Sequence, residues 1–119
     1  DLGDLRAHTN YSGGYHEDHP VIRMLWESVE ELDPPQQRAF LKFVTSCSRA
    51  PLLGFKYLEP KFAVHRSGAA ATEAPDETAD VERLPTSATC MNLLKLPPYP
   101  DKSVLRSKLA YAISSGAGF

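Results

Sequence analysis

Apolar residues recur at helical spacing in three stretches of this chain. After His19-Pro20, residues Val21, Ile22, Leu25, Trp26, Val29 and Leu32 fall three or four apart and share one helix face. Glu27, Glu30 and Glu31 take the other side. Proline suits the first turn, where its missing N–H has no helical partner to lose. Asp33-Pro34-Pro35 stops this helix and starts a second, with Asp33 able to cap the free amides. Phe40, Phe43, Val44 and Cys47 form the buried face of that second helix. A third helix opens after Asp101 or Ser103, carries Val104, Leu105, Leu109, Ala112 and Ile113 inward, and ends at Gly116 and Gly118.

Between the helices the period changes. Lys61 to Arg66 alternates, which predicts a short strand with Phe62 and Val64 on one side. Met91 to Leu96 reads as a second extended segment, ended by Pro97, Pro98 and Pro100, and residues 86–90 before it read as a loop. Leu52-Leu53-Gly54-Phe55 predicts a packed irregular segment. Residues 1–18 are polar, and Gly13-Gly14 interrupts them, which predicts a hinge-like lead-in over 1–15. From Ser67 to Glu82 small residues and acids replace the large apolar ones, so 67–82 is expected to be a mobile inserted surface loop. Helices and strands without regular alternation predict an α+β domain, a small mixed or antiparallel sheet packed with about three main helices.

Composition narrows the function classes. The chain has 119 residues, 42% of them apolar and 24% charged, which suits one globular core. Its net charge is −2 with both signs interspersed, so it lacks the basic stripe that nucleic acid binding needs. No apolar run approaches the roughly 20 residues that span a bilayer, and the start Asp1-Leu2-Gly3-Asp4 has no signal-peptide character. Beginning on Asp rather than Met, the chain is expected to be a piece of a longer protein. No partner is therefore expected from nucleic acid or membrane. Without a targeting signal, Cys47 and Cys90 are expected to be reduced thiols in cytoplasm or nucleus rather than a secreted disulfide.

Candidate chemistry is sparse. Cys90 lies between a polar loop and an apolar segment, where a thiol can be exposed enough to react; the other reading is a small buried hydrophobe. Cys47 sits among Phe43 and Val44 and reads as core. His16 and His19 are three apart, whereas a zinc-protease helix needs four with glutamate after the first, so no metal or other cofactor is expected. His8 and His65 have no evident partner in the sequence. A Cys–His pair formed by folding stays open. The chain has neither a phosphate-binding glycine loop nor a Gly-x-Ser-x-Gly elbow.

The segment Leu84-Pro85-Thr86-Ser87-Ala88-Thr89-Cys90-Met91-Asn92-Leu93-Leu94-Lys95-Leu96-Pro97 resembles the active-cysteine segment of HECT ubiquitin ligases. Three further stretches match in the same order. His19-Pro20-Val21-Ile22 with Leu25-Trp26 is similar to the helix that opens the family's C-terminal lobe. Phe40 to Arg49, then Pro51 and Gly54-Phe55, resembles its second helix and following loop. Leu105 to Leu109, Ala112-Ile113 and Gly118-Phe119 resemble its last helix and tail. The details look most like members outside the Nedd4 group that have a long inserted loop.

The resemblance implies a lobe over 16–119, preceded at 1–15 by a hinge and the end of the N-lobe. It implies that Cys90 accepts ubiquitin as a thioester from a conjugating enzyme and passes it to a substrate lysine. One thioester replaces another, so an ordinary thiol with a few per cent of thiolate at neutral pH suffices. Thr89 would steady the developing oxyanion through its hydroxyl or N–H. Leu84, Pro85, Met91 and Asn92 would cradle the ubiquitin tail, and Phe119 would dock on the N-lobe. The implied partners are ubiquitin, a conjugating enzyme recruited through the N-lobe, and a substrate lysine; the lobe itself is expected to be a monomer. The competing class is a non-catalytic ubiquitin- or partner-binding module with an inert thiol. The resemblance implies a few further residues after Phe119, including any acidic group that positions the lysine.

Overall fold

A computed structural model describes residues 2–45, 54–66 and 84–114. Cys47, Phe119, Gly116, Gly118, Leu52-Leu53 and the 67–82 segment lie outside the described residues. Within them the element order is α1 (Leu2–Ala7), β1 (Asn10–Ser12), α2 (Pro20–Glu30), α3 (Pro34–Thr45), β2 (Ala63–Arg66), β3 (Thr86–Ala88), β4 (Leu93–Leu96) and α4 (Lys102–Ser114). Single 3-10 turns stand at Phe55–Tyr57 and Thr89–Met91. The four strands form one mixed sheet in the order β1-β2-β4-β3. β1 with β2 and β2 with β4 are parallel, and β3 with β4 is antiparallel. This is the expected α+β architecture, with α2, α3 and α4 as its main helices.

The helix ends follow from local chemistry. Val21 N–H donates to His19 Nδ1 at 3.1 Å, so His19 caps α2 and is buried there. Gln36 N–H donates to Asp33 Oδ1 at 2.8 Å, and Asp33 N–H donates back to Gln36 Oε1 at 3.3 Å. That reciprocal pair is a capping box and fixes the start of α3. Val104 N–H donates to Asp101 Oδ1 at 2.9 Å, which makes Asp101 the cap of α4.

The helical periods are carried into packing. Val21, Ile22, Leu25, Trp26 and Val29 of α2, Phe40, Phe43 and Val44 of α3, and Leu105, Leu109, Ala112 and Ile113 of α4 are buried together. Trp26 and Phe40 both meet Phe62 edge-on, with ring centroids 6.3 and 6.4 Å away. Val64, Leu94 and Leu96 supply the sheet's contribution to this core. These three large rings meet in the edge-to-face arrangement that their charge distribution favours.

Two stretches differ from the sequence expectation. The polar pattern over 1–18 predicts no element, yet α1 and β1 lie there, Leu5 and Tyr15 are buried, and β1 is an edge strand of the sheet. Tyr15 Oη donates to Leu96 O at 2.8 Å, Trp26 Nε1 donates to Tyr11 Oη at 3.1 Å, and Phe55 N–H donates to Asp4 Oδ2 at 2.8 Å. Residues 86–90, expected as a loop, begin with the strand β3 and end in a 3-10 turn. The strand forms because Thr86, Ser87 and Ala88 find Lys95, Leu94 and Leu93 opposite them. Strand β4 begins at Leu93 rather than Met91, since Met91 belongs to the turn and Asn92 is left-handed.

Candidate active site

β3 and β4 form a hairpin, and Cys90 stands at its tip. Ala88 and Leu93 are the last paired residues, so Thr89, Cys90, Met91 and Asn92 make the connection. The chain turns back in one 3-10 turn and then a left-handed residue, a common way to close a short hairpin. Asn92 takes that position with φ 50° and ψ 48°, a conformation that asparagine tolerates better than most residues. Its N–H donates to Thr89 O at 3.2 Å and closes the turn.

Asn92 also ties the turn to the rest of the fold. Its side chain donates from Nδ2 to Pro60 O at 2.6 Å, and its own carbonyl accepts from Ala63 N–H at 3.0 Å. Only 6% of Asn92 is exposed. α3 packs against the Thr89–Met91 turn and against β3 and β4. The cysteine is thus carried on a turn held at its base from two directions.

The thiol itself faces outward. Cys90 is a free, exposed cysteine, and Met91 beside it is 55% exposed. Thr89 and Leu84 are half-buried, and Pro85 is buried. The segment from Leu84 to Asn92 is therefore brought together around one hairpin, with the thiol and Met91 projecting and Asn92 turned inward. Phe119, the remaining candidate, lies outside the described residues.

Among the described residues no histidine is bonded to the thiol. His8 Nδ1 is 2.9 Å from Asp4 O, His19 caps α2, and His65 Nδ1 is 2.8 Å from Ser12 Oγ. The His16 ring packs edge-on against His19 at 5.6 Å. The Cys–His pair left open by the sequence is not formed among the described residues. An exposed thiol without a bound base can exchange with a thioester, where the incoming and departing groups are both sulfur, but is poorly equipped to cleave an amide. Sequence reasoning missed the carbonyl of Pro60 as the brace for this turn; a polar residue at a left-handed turn position was its only local sign.

The profile of the HECT-domain (ubiquitin-transferase) family matches residues 1–119. The chain is 60% identical over 119 residues to E3 ubiquitin-protein ligase UPL6 of Arabidopsis thaliana, covering 100% of this chain and 11% of that protein. It is 49% identical over 139 aligned residues to ubiquitin-protein ligase E3B of Mus musculus, covering 100% of this chain and 12% of that protein. Against E3 ubiquitin-protein ligase HUL5 of Saccharomyces cerevisiae it is 48% identical over 119 residues, again 100% of this chain and 12% of the relative. The chain spans 11–12% of the length of these relatives. A match over every residue, together with identities of 48–60%, means that this chain belongs to the HECT-domain family of ubiquitin transferases.

Proposed function

We propose that this chain is the ubiquitin-carrying C-lobe of a HECT ligase and that Cys90 is its thioester nucleophile. The observation that carries this reading is the exposed Cys90 thiol at the tip of a hairpin braced by Asn92 and α3. In this reading residues 16–119 are the lobe, and residues 1–15 connect it to an N-lobe while packing Leu5 and Tyr15 into its core.

The first step begins with the Cys90 thiolate attacking the carbonyl of ubiquitin's C-terminus on the conjugating enzyme. A new C–S bond forms, the bond to the enzyme's sulfur breaks, and that sulfur leaves as a thiolate. In the second step a substrate lysine amine attacks the Cys90 thioester. The N–C bond forms, the C–S bond breaks so that Cys90 departs as thiolate, and the amine's proton goes to water or a nearby base. Amide formation from a thioester is downhill, so the lobe's task is to position the reacting groups. Thr89, adjacent to the nucleophile, donates through its hydroxyl or N–H to the developing oxyanion.

β3 supports a role for the same segment in holding the ubiquitin tail. It is an edge strand, and no described strand pairs with its outer side. Edge strands offer unpaired main-chain groups, to which an extended tail can add. Leu84, Pro85 and Met91 border that path, and Asn92 sets the turn's shape from below. Phe119 is assigned to N-lobe docking by resemblance alone.

The test uses the full-length ligase and a ubiquitin-loaded conjugating enzyme, quenched without reductant and run on a non-reducing gel. The wild type is expected to gain a ubiquitin adduct that a thiol reductant releases, and Cys90→Ala to gain none. A reductant-sensitive adduct of equal yield on Cys90→Ala would overturn the assignment.

A further inference from the structure

Arg66 ends β2 on a face that is otherwise apolar. Alternation puts it on the same side as Val64, and the register sets it beside Leu96, both fully buried. Arg66 itself is only 4% exposed. Among the described residues none of its three guanidinium nitrogens has a hydrogen-bond partner. A guanidinium carries five N–H donors and stays protonated in proteins, so unlike lysine it cannot lose its charge to suit burial. Enclosing such a cation with no acceptor is strongly unfavourable, and buried charges are otherwise found paired.

A second feature lies directly over it. Ser12 to Tyr15 is a tight turn whose two central residues are Gly13 and Gly14, with φ of 72° and 102°. A Cβ built on Gly14 would stand 3.7 Å from Arg66 Nη1 and 4.0 Å from its Cδ. On Gly13 it would meet His65 Cε1 at 2.9 Å and Arg66 N at 3.1 Å. The guanidinium nitrogens are closed off from solvent beneath the backbone of this turn, which carries no side chain, so a ligand reaches them only by moving the turn aside. Other cations have partners of their own: Arg23 faces Asp18, and Lys102 and Arg106 face Glu31.

We infer that Arg66 is the anchor of a carboxylate-binding site at the Gly13-Gly14 end of the sheet. A lone guanidinium matches a carboxylate in charge and in the spacing of its two oxygens, which can take two parallel N–H bonds; a phosphate dianion would call for further cations. The site is separate from the cysteine. Arg66 pairs with Leu96 and Ala63 pairs with Leu93, next to the cysteine turn, so Arg66 is about 10 Å farther along the strands at ~3.3 Å per residue. The carboxylate comes from an acidic side chain of a docking protein segment or from a small free acid, and the chemistry at Arg66 is the same for both.

The chain with 15N-labelled arginine separates these sources. Sodium malonate and a blocked peptide with a single aspartate are titrated at matched ionic strength against sodium chloride, following the Arg66 Nε–H resonance identified by its loss in Arg66→Lys. The resonance is expected to move saturably with malonate, peptide or both, and not with chloride. A tighter response to the peptide assigns the site to a protein segment, and a tighter response to malonate assigns it to a free acid. The melting temperature of the wild type is expected to rise by a few degrees with the same probe, and that of Arg66→Met to stay unchanged. An Arg66 resonance unmoved by both probes, or an Arg66→Met variant stabilised as much as the wild type, would overturn the inference.

Discussion

At the scale of single residues, Asn92 decides the geometry of the cysteine turn. It supplies a left-handed backbone, a side-chain bond to Pro60 O, and a carbonyl for Ala63 N–H, all from a nearly buried position. Asn92→Ala removes the bond to the carbonyl of Pro60, a residue exposed at the surface, a loss of about 0.5–1.5 kcal/mol for an ordinary hydrogen bond. Urea denaturation is expected to show that loss, and labelling of Cys90 by a ubiquitin-shaped electrophile is expected to slow. Asn92→Gly keeps the left-handed turn and should label faster than Asn92→Ala; equal rates would mean that the turn's shape is not what matters. The role proposed for the cysteine and its neighbours rests on resemblance, and Asn92's inward role was not legible in the sequence. Its partner Pro60 is far away along the chain, and only the fold brings them together. Arg66 was half legible, since the alternation that turns Phe62 and Val64 inward turns Arg66 inward too.

Among elements, α2 and α4 are joined by more than apolar packing. Lys102 bonds to Glu31 and lies 3.4 Å from Glu27, and Arg106 lies 3.0 Å from Glu31. The Lys102 hydrogen bond first, then the charges of Lys102 and Arg106, hold the Glu31 carboxyl below its usual 4.5 against some desolvation. The same hydrogen bond raises Lys102. Between the lowered value and 4.5 the unfolded chain binds more protons than the folded one, so stability rises with pH across that window. The contribution is present above 4.5 and lost as the pH falls through the folded-state value. The pair is exposed, so the effect is small and weakened by salt. Melting temperature measured from pH 6 downward is expected to fall less steeply in Glu31→Gln than in wild type; identical slopes would show that the bridge does not stabilise the fold. The three main helices were legible because each combines a sustained period with a capping residue. β3 was not, because three small or polar residues at a sheet edge contain no periodic signal and pair only through β4.

For the molecule as a whole, the N-terminal segment belongs to the same core as the cysteine hairpin. Leu5 is buried, Tyr15 bonds to β4, and β1 extends the sheet from β2. Leu5→Ala is expected to cost about 2–5 kcal/mol in chemical denaturation, as for other buried leucines; a cost below ~0.5 kcal/mol would mean that the segment is a loose lead-in. Its polar composition hid this, since Leu5, Tyr11 and Tyr15 are too widely spaced to form a period and are recognisable only once β1 finds β2. The central claim is that this core presents Cys90, and not Cys47, to ubiquitin. Intact mass after incubation with ubiquitin bearing a C-terminal thiol-reactive group tests it most directly, on wild type, Cys90→Ala and Cys47→Ala. One ubiquitin is expected on wild type and on Cys47→Ala, and none on Cys90→Ala. A folded wild type whose Cys90 reacts with small electrophiles but takes no ubiquitin would contradict the account and favour a binding module with an inert thiol.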